Sequence, residues 1–198
     1  TVDADRVITM RVAARSTCES LEAARGDALA SIDAVTTAKG RLFALSQIVL
    51  LERLDDLRRG LAAAERAVDD ARRSGDAEAI ETATLSLAVG RVLVGEPVDI
   101  TAAIAPAEVW DESMHLGNAM EELVQLLWFA GDPRGVSWAE RMWTTAATRG
   151  DVVTEVNAVG YRGEMLVTRG DWAAAELALR GSLHGHSELL SRRFTNKI

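Results

Sequence analysis

The chain of 198 residues contains one cysteine, three prolines, one tyrosine and three phenylalanines. Cys18 has no second thiol to pair with, so no disulfide framework is available and the expected compartment is the reducing cytosol. With proline only at Pro97, Pro106 and Pro133, most of the chain is free to run as helix. Long apolar runs are missing too. The greasiest stretch, Leu42 to Leu51, is broken by Ser46 and Gln47 and falls short of the roughly 18 apolar residues of a membrane span. Lysine occurs only at Lys39 and Lys197, and neither completes a Gly-x-x-x-x-Gly-Lys loop that would cradle phosphates, so no nucleotide or other cofactor is expected. Basic residues number 22 against 30 acidic ones, a net charge of -8 that divides as -4 in residues 1–99 and -4 in residues 100–198. No basic tract exists to neutralise phosphates, which disfavours direct nucleic-acid contact by this segment. The start, Thr1-Val2-Asp3-Ala4-Asp5, has neither a secretory signal nor an initiator Met, as expected of a piece cut from a longer protein.

What is present is helix. Hydrophobic residues make up 48% of the chain, enough for a core, and one domain over 1–198 is the expectation from length. Leu57, Leu61, Ala64, Val68 and Ala71 recur at spacings of three and four, the stripe of an amphipathic helix. Punctuation comes from glycine followed by an acid: Gly26-Asp27, Gly75-Asp76, Gly95-Glu96, Gly131-Asp132, Gly150-Asp151 and Gly170-Asp171. Glycine tolerates the left-handed conformation that ends a helix, and the acid caps the next one. The intervals Gly75–Gly95, Gly131–Gly150 and Gly150–Gly170 are 20, 19 and 20 residues, one helix and one turn each. A shift of 75 residues superposes Arg59-Gly60-Leu61 on Arg134-Gly135-Val136, Ala64-Glu65-Arg66 on Ala139-Glu140-Arg141, Gly75-Asp76 on Gly150-Asp151 and Gly95 on Gly170. Two units of about 37 residues fit that offset, each a pair of antiparallel helices. The expected pairs are 3–25 with 27–39, 41–54 with 56–74, 76–94 with 98–110, 112–130 with 134–149, and 151–169 with 171–187, a sixth beginning near Glu188.

The stretch Asn157 to Ser187 resembles a tetratricopeptide repeat, with Gly163 at the close approach of the two helices, Gly170 in the turn and Ala175 where the second helix packs back. Arg162 departs from that pattern where the family prefers Leu, as do Leu166 in place of Tyr and Ser187 in place of Pro. The Arg- and Ala-rich texture of 64–76 and of Arg169-Gly170-Asp171-Trp172-Ala173-Ala174-Ala175-Glu176 is similar to the helical region of large MalT-like, LuxR-type transcriptional regulators. That resemblance implies an all-α, right-handed superhelix of about five antiparallel pairs. It also implies a sensory segment between an ATPase module and a DNA-binding module, neither of which is visible here.

Catalysis finds little support. His184 and His186 flank Gly185, but zinc wants about four ligands and no third is evident, so they read as surface histidines. His115 has no nucleophile placed beside it by spacing, and Cys18 falls with Ala14 and Leu21 on a stripe expected to be buried. Asp55-Asp56 and Asp69-Asp70 lack the spacing of a calcium loop and read as solvated faces. Trp138, Trp143 and Trp172 read as locks between neighbouring helices, leaving Trp110 and Trp128 of the five tryptophans.

In such arrays the first helix of each pair lines the concave side. Asn118 and Asn157 each lie 13 residues before a turn glycine, Gly131 and Gly170. The same count places Glu121, Gln125 and Trp128 on one helix, and Tyr161 and Glu164 on the next, toward the groove. Amide, carboxylate and aromatic groups offer directed hydrogen bonds and flat apolar area, though polar residues of this kind also satisfy one another or face solvent. The function expected is a non-catalytic sensor or interaction domain that takes a small-molecule inducer or a protein partner there. A scaffold or homodimer module without its own ligand is the alternative; its expected apolar stripe is Trp172, Leu179, Leu183 and Leu190.

Overall fold

The computed structural model describes residues 21–35, 38–110 and 118–180. These residues are helical, with no strand among them. The chain divides into two compact units, Thr1–Glu108 and Val109–Ile198. Cys18, His115, His184, His186, Leu183, Leu190 and the pair expected near Glu188 lie outside the described residues.

In the first unit, helices α1 (Leu21–Ala34), α2 (Ala38–Asp55), α3 (Leu57–Ser74) and α4 (Ala77–Leu93) follow one another, each packed on the next, and α2 also touches α4. A short α5 (Ile100–Ile104) and a 3-10 turn (Ala105–Val109) complete it. The core is built of small residues. Ala63, Ala64, Ala67, Val68 and Ala71 of α3 meet Ile48, Val49 and Leu51 of α2 and Ala79 and Ala83 of α4. The charged rim is paired: Arg25 and Arg59 both reach Asp55, at 2.7 and 2.8 Å, and both reach Glu52. Asp70, its side chain mostly covered, pairs with Arg41 and Arg73.

The second unit holds α6 (Asn118–Phe129), α7 (Gly135–Arg149), α8 (Val152–Thr168) and a helix α9 over 172–180. Helix α7 packs on α6 and α8, and α6 touches α8 directly. Its interior is larger-grained, with Met120, Leu123, Leu126, Leu127 and Met142 fully buried. Trp138 is buried edge-to-face on Trp110, 6.5 Å between ring centroids, and Arg141 lies 3.8 Å over its ring.

The turns follow the sequence punctuation with one atomic device. Gly75, Gly95, Gly131, Gly150 and Gly170 all have positive φ, and the copies related by 75 residues match closely, 69° with 68° and 81° with 78°. At Gly150, Cβ would be strained by that φ whatever the space, while the N–H of Asp151 bonds back to the Ala146 carbonyl at 3.0 Å. The Asp151 carboxylate then accepts from the Thr154 N–H at 3.2 Å and so opens α8. Asp171 repeats this arrangement, closing on the Leu166 carbonyl and accepting from Ala174.

Four expectations need correction. Gly26-Asp27 does not break a helix: α1 runs through it, because Ala28 is buried and Arg25 is tied to α2, which outweighs the roughly 1 kcal/mol cost of an internal glycine. The helix expected over 98–110 stops at Ile104, since Pro106 has no N–H to continue the α ladder and the chain tightens into 3-10. Glu96 is not the cap; Asp99 is, accepting from the Ala102 N–H at 3.0 Å. Leu57 and Trp172, expected to pack, are 44% and 67% exposed.

Gly60 and Gly135, equivalent in the 75-residue offset, both sit near the start of a helix, Gly60 against α2 and Gly135 against α8 and α6. A Cβ on Gly60 would meet Arg53 Cα at 2.7 Å, which is backbone; on Gly135 it would meet Met165 Sδ at 2.7 Å, in a flexible side chain. Gly60→Ala is therefore expected to cost about 2 kcal/mol in urea unfolding and Gly135→Ala distinctly less. Equal losses would show that backbone proximity is not what the glycine serves.

Candidate functional site

Helices α6 and α8 bring five of the seven sequence-selected side chains into one cluster. Glu121, Gln125 and Trp128 succeed each other at spacings of four and three along α6, and Asn157 and Tyr161 are four apart on α8, so each set shares a helix face. The Tyr161 hydroxyl donates to Glu121 Oε1 at 2.7 Å and accepts from Gln125 Nε2 at 3.0 Å. Asn157 Nδ2 donates to the same Glu121 oxygen at 3.4 Å. Trp128 lies against the Tyr161 ring, centroids 5.9 Å apart and tilted by 51°, and stacks on Phe129 at 4.6 Å. Glu164 remains exposed and joins none of these bonds. Asn118 opens α6, and its side chain lies outside the described set.

Burial governs the electrostatics. Desolvation pushes the Glu121 carboxyl above the usual carboxylate range, with the charges of Glu122 and Asp151 acting the same way and the Tyr161 hydrogen bond opposing them. Tyr161 is itself driven far up, by burial first and then by the adjacent Glu121 charge, so its hydroxyl stays a proton donor at every physiological pH. Both bonds into Glu121 land on Oε1, and Oε2 takes neither. The cluster is therefore a pre-formed acceptor platform edged by an aromatic plane. It holds no nucleophile activated by a base, and no metal-holding group of three or more His, Cys, Asp or Glu occurs among the described residues.

No protein-family model matches the chain, and no curated protein is significantly similar to it. Counting back from the turn glycines picked out Glu121, Gln125, Trp128, Asn157 and Tyr161, and the structure brings these five together, with Glu121 beside Asn157 and Gln125 beside Tyr161, pairs 36 residues apart. The count missed that these groups bond to each other, which depends on how the two helices are rotated about their axes.

The buried carboxylate gives a pH signature. Because the folded Glu121 titrates higher than the unfolded one, its protonated form favours folding below the ordinary carboxylate range, and that contribution is lost as pH rises through the folded value. Glu121→Gln, which keeps an acceptor for Tyr161, is expected to stabilise the protein at pH 7, with the gain shrinking toward pH 4 in urea titrations. A gain independent of pH would refute the desolvation assignment. Tyr161→Phe removes one bond of Gln125 and strips Glu121 of its shortest bond, and is expected to cost about 1.5 kcal/mol by the same measurement.

Proposed function

We propose that this chain is a non-catalytic, tetratricopeptide-like interaction domain in which the shared face of α6 and α8 receives a protein partner or a small-molecule inducer. The observation that carries the reading is a recurring offset: Glu121 with Asn157, Gln125 with Tyr161, and Pro133 with Arg169 are hydrogen-bonded pairs 36 residues apart. That is the spacing of successive helix pairs stacked in register, as in a right-handed superhelix of about five pairs. First-of-pair helices lie together in such an array, and α2 with α4 and α6 with α8 are in contact.

The cluster favours a guest that brings donors. Glu121 Oε2 is an acceptor in a cluster that Trp128 joins through the Tyr161 ring, a combination suited to an amine or guanidinium carried on an apolar stem. A guest bridging α6 and α8 would favour one stacking of the two pairs over another, and neighbour-to-neighbour contact would pass that bias along the array. This is the behaviour wanted of the sensor segment in a MalT-like, LuxR-type regulator, the family suggested by the texture of 64–76 and 169–176.

The scaffold reading has its own support in the last described helix, where Trp172 and Leu177 are 67% and 77% exposed. The two readings diverge in experiment. Trp128→Ala and Asn157→Ala are each expected to weaken retention of the partner captured by the immobilised wild-type chain at least about tenfold, with folding intact by circular dichroism. Retention unchanged in both variants, together with concentration-dependent dimerisation in sedimentation, would replace the binding reading by the scaffold.

A further inference from the structure

Helix α8 carries a second chemistry on its other side. At about 100° per residue, Glu155, Val159 and Arg162 form a stripe roughly opposite Asn157 and Tyr161. This stripe forms, with Glu140 and Trp143 of α7 and Leu177 of α9, the wall of a half-open cavity of about 340 Å³. Arg162 is the residue that stands where the tetratricopeptide pattern prefers Leu. Its Nε is buried without a hydrogen-bond partner, and its guanidinium forms no ion pair among the described residues. Such a group destabilises the fold unless something accepts from it. Arg25 and Arg53 also leave Nε without a hydrogen bond, and the difference lies in the terminal nitrogens: Arg25 Nη2 reaches Asp55 at 2.7 Å and Arg53 Nη2 reaches Ser86 at 3.1 Å, whereas those of Arg162 have no such partner among the described residues.

From this cavity we infer a binding site for a short apolar peptide with free ends, a di- or tripeptide, whose carboxylate pairs with Arg162 and whose ammonium faces Glu155 and Glu140. Each part of the guest answers a feature of the wall. The guanidinium is a planar fork of donors shaped for a carboxylate. At the opposite end, Glu155 is fixed by accepting from Trp143 Nε1 at 3.2 Å, and Glu140 is exposed beside it. Between the charges lie the Trp143 ring, 40% exposed, with Val159 and the outward Leu177. Residues 155 and 162 are separated by about 10 Å along the helix axis, since each residue rises about 1.5 Å. A single amino acid holds its charges too close together to reach both ends, whereas an extended chain spans about 3.4 Å per residue and needs two or three. The volume falls at the small end of ligand pockets, about 300–1,000 Å³, and suits a guest of that size.

The site is separate from the α6/α8 cluster, so the two stand or fall independently. The probe is L-leucyl-L-leucine, titrated into the whole chain at pH 7 by calorimetry, with N-acetyl-leucyl-leucine, leucyl-leucinamide and free leucine as comparisons. Binding of the dipeptide is expected, with each capped form and free leucine at least about tenfold weaker. Arg162→Leu restores the apolar residue of the repeat pattern and is expected to melt no lower than wild type while binding at least about thirtyfold more weakly. Arg162→Lys, which keeps the charge but loses the fork, is expected to bind at an intermediate level, and Trp128→Ala is expected to bind as wild type does. The inference is overturned if the wild-type chain gives no binding heat with leucyl-leucine. It is equally overturned if the capped peptides bind as well as the free one, or if Arg162→Leu, folded, keeps the wild-type affinity.

Discussion

Close approach of helix backbones is the constraint on which the first unit depends. An interface made of Gly60, Ala63, Ala64, Ala67 and Ala71 buries little apolar area per residue, so its stability comes from many short contacts between helices whose axes lie near one another. That packing tolerates little slippage. Moving α3 by one residue would put Leu61 where Gly60 passes the Arg53 backbone. Helix ends must therefore be set accurately, and in the second unit the glycine-acid turns do so from both directions. In Asp151 and Asp171 the backbone N–H ties off the preceding helix while the carboxylate starts the following one, so a single residue fixes the register of two helices.

The polar cluster inherits that precision. A carboxylate as deeply placed as Glu121 is tolerable only if donors meet it, and those donors come from a helix more than thirty residues further along the chain. If α8 shifted by one residue, Tyr161 would rotate by about 100° and Glu121 would be buried without its principal bond. The cluster thus specifies how α6 and α8 are stacked as much as it offers a surface. In the sensor proposed above, the groups that receive the guest would also report the stacking.

The sequence was most legible where structure is decided locally. Gly75, Gly150 and Gly170, each followed by aspartate, identify helix ends because left-handed glycine and side-chain capping act within a few residues. The same local pattern misleads at Gly26, where a long-range ion pair from Arg25 to α2 keeps the helix continuous. It also misleads at Glu96, where the capping role passes to Asp99. Membership of the cluster was legible through the spacing of the turn glycines, and Gln125 does lie beside Tyr161, 36 residues on. Glu164 was counted in and stays out, since the wheel position that points it toward the groove lets a long charged side chain remain in water. Arg162 was visible only as a departure from a pattern; what surrounds it depends on α7 and α9, which no spacing along α8 reveals.

The two sides of α8 differ in a way that bears on what each is for. On one, every polar group named has found a partner inside the protein, and a guest there must add to or reorder an existing network. On the other, a guanidinium with a sealed Nε lines a cavity whose carboxylates, Glu140 and Glu155, form no ion pair with it. Replacing it by Leu would remove an unsatisfied donor and fill apolar space, so packing alone gives no reason for arginine at this position. Arg53 shows how this fold handles a buried arginine when structure is the only demand: it is given Ser86, through both the hydroxyl and the backbone carbonyl. Both arginines leave a buried Nε without a hydrogen bond, and they differ in the terminal nitrogens: Arg53 Nη2 is set on Ser86, while those of Arg162 are left for the guest proposed to enter the cavity.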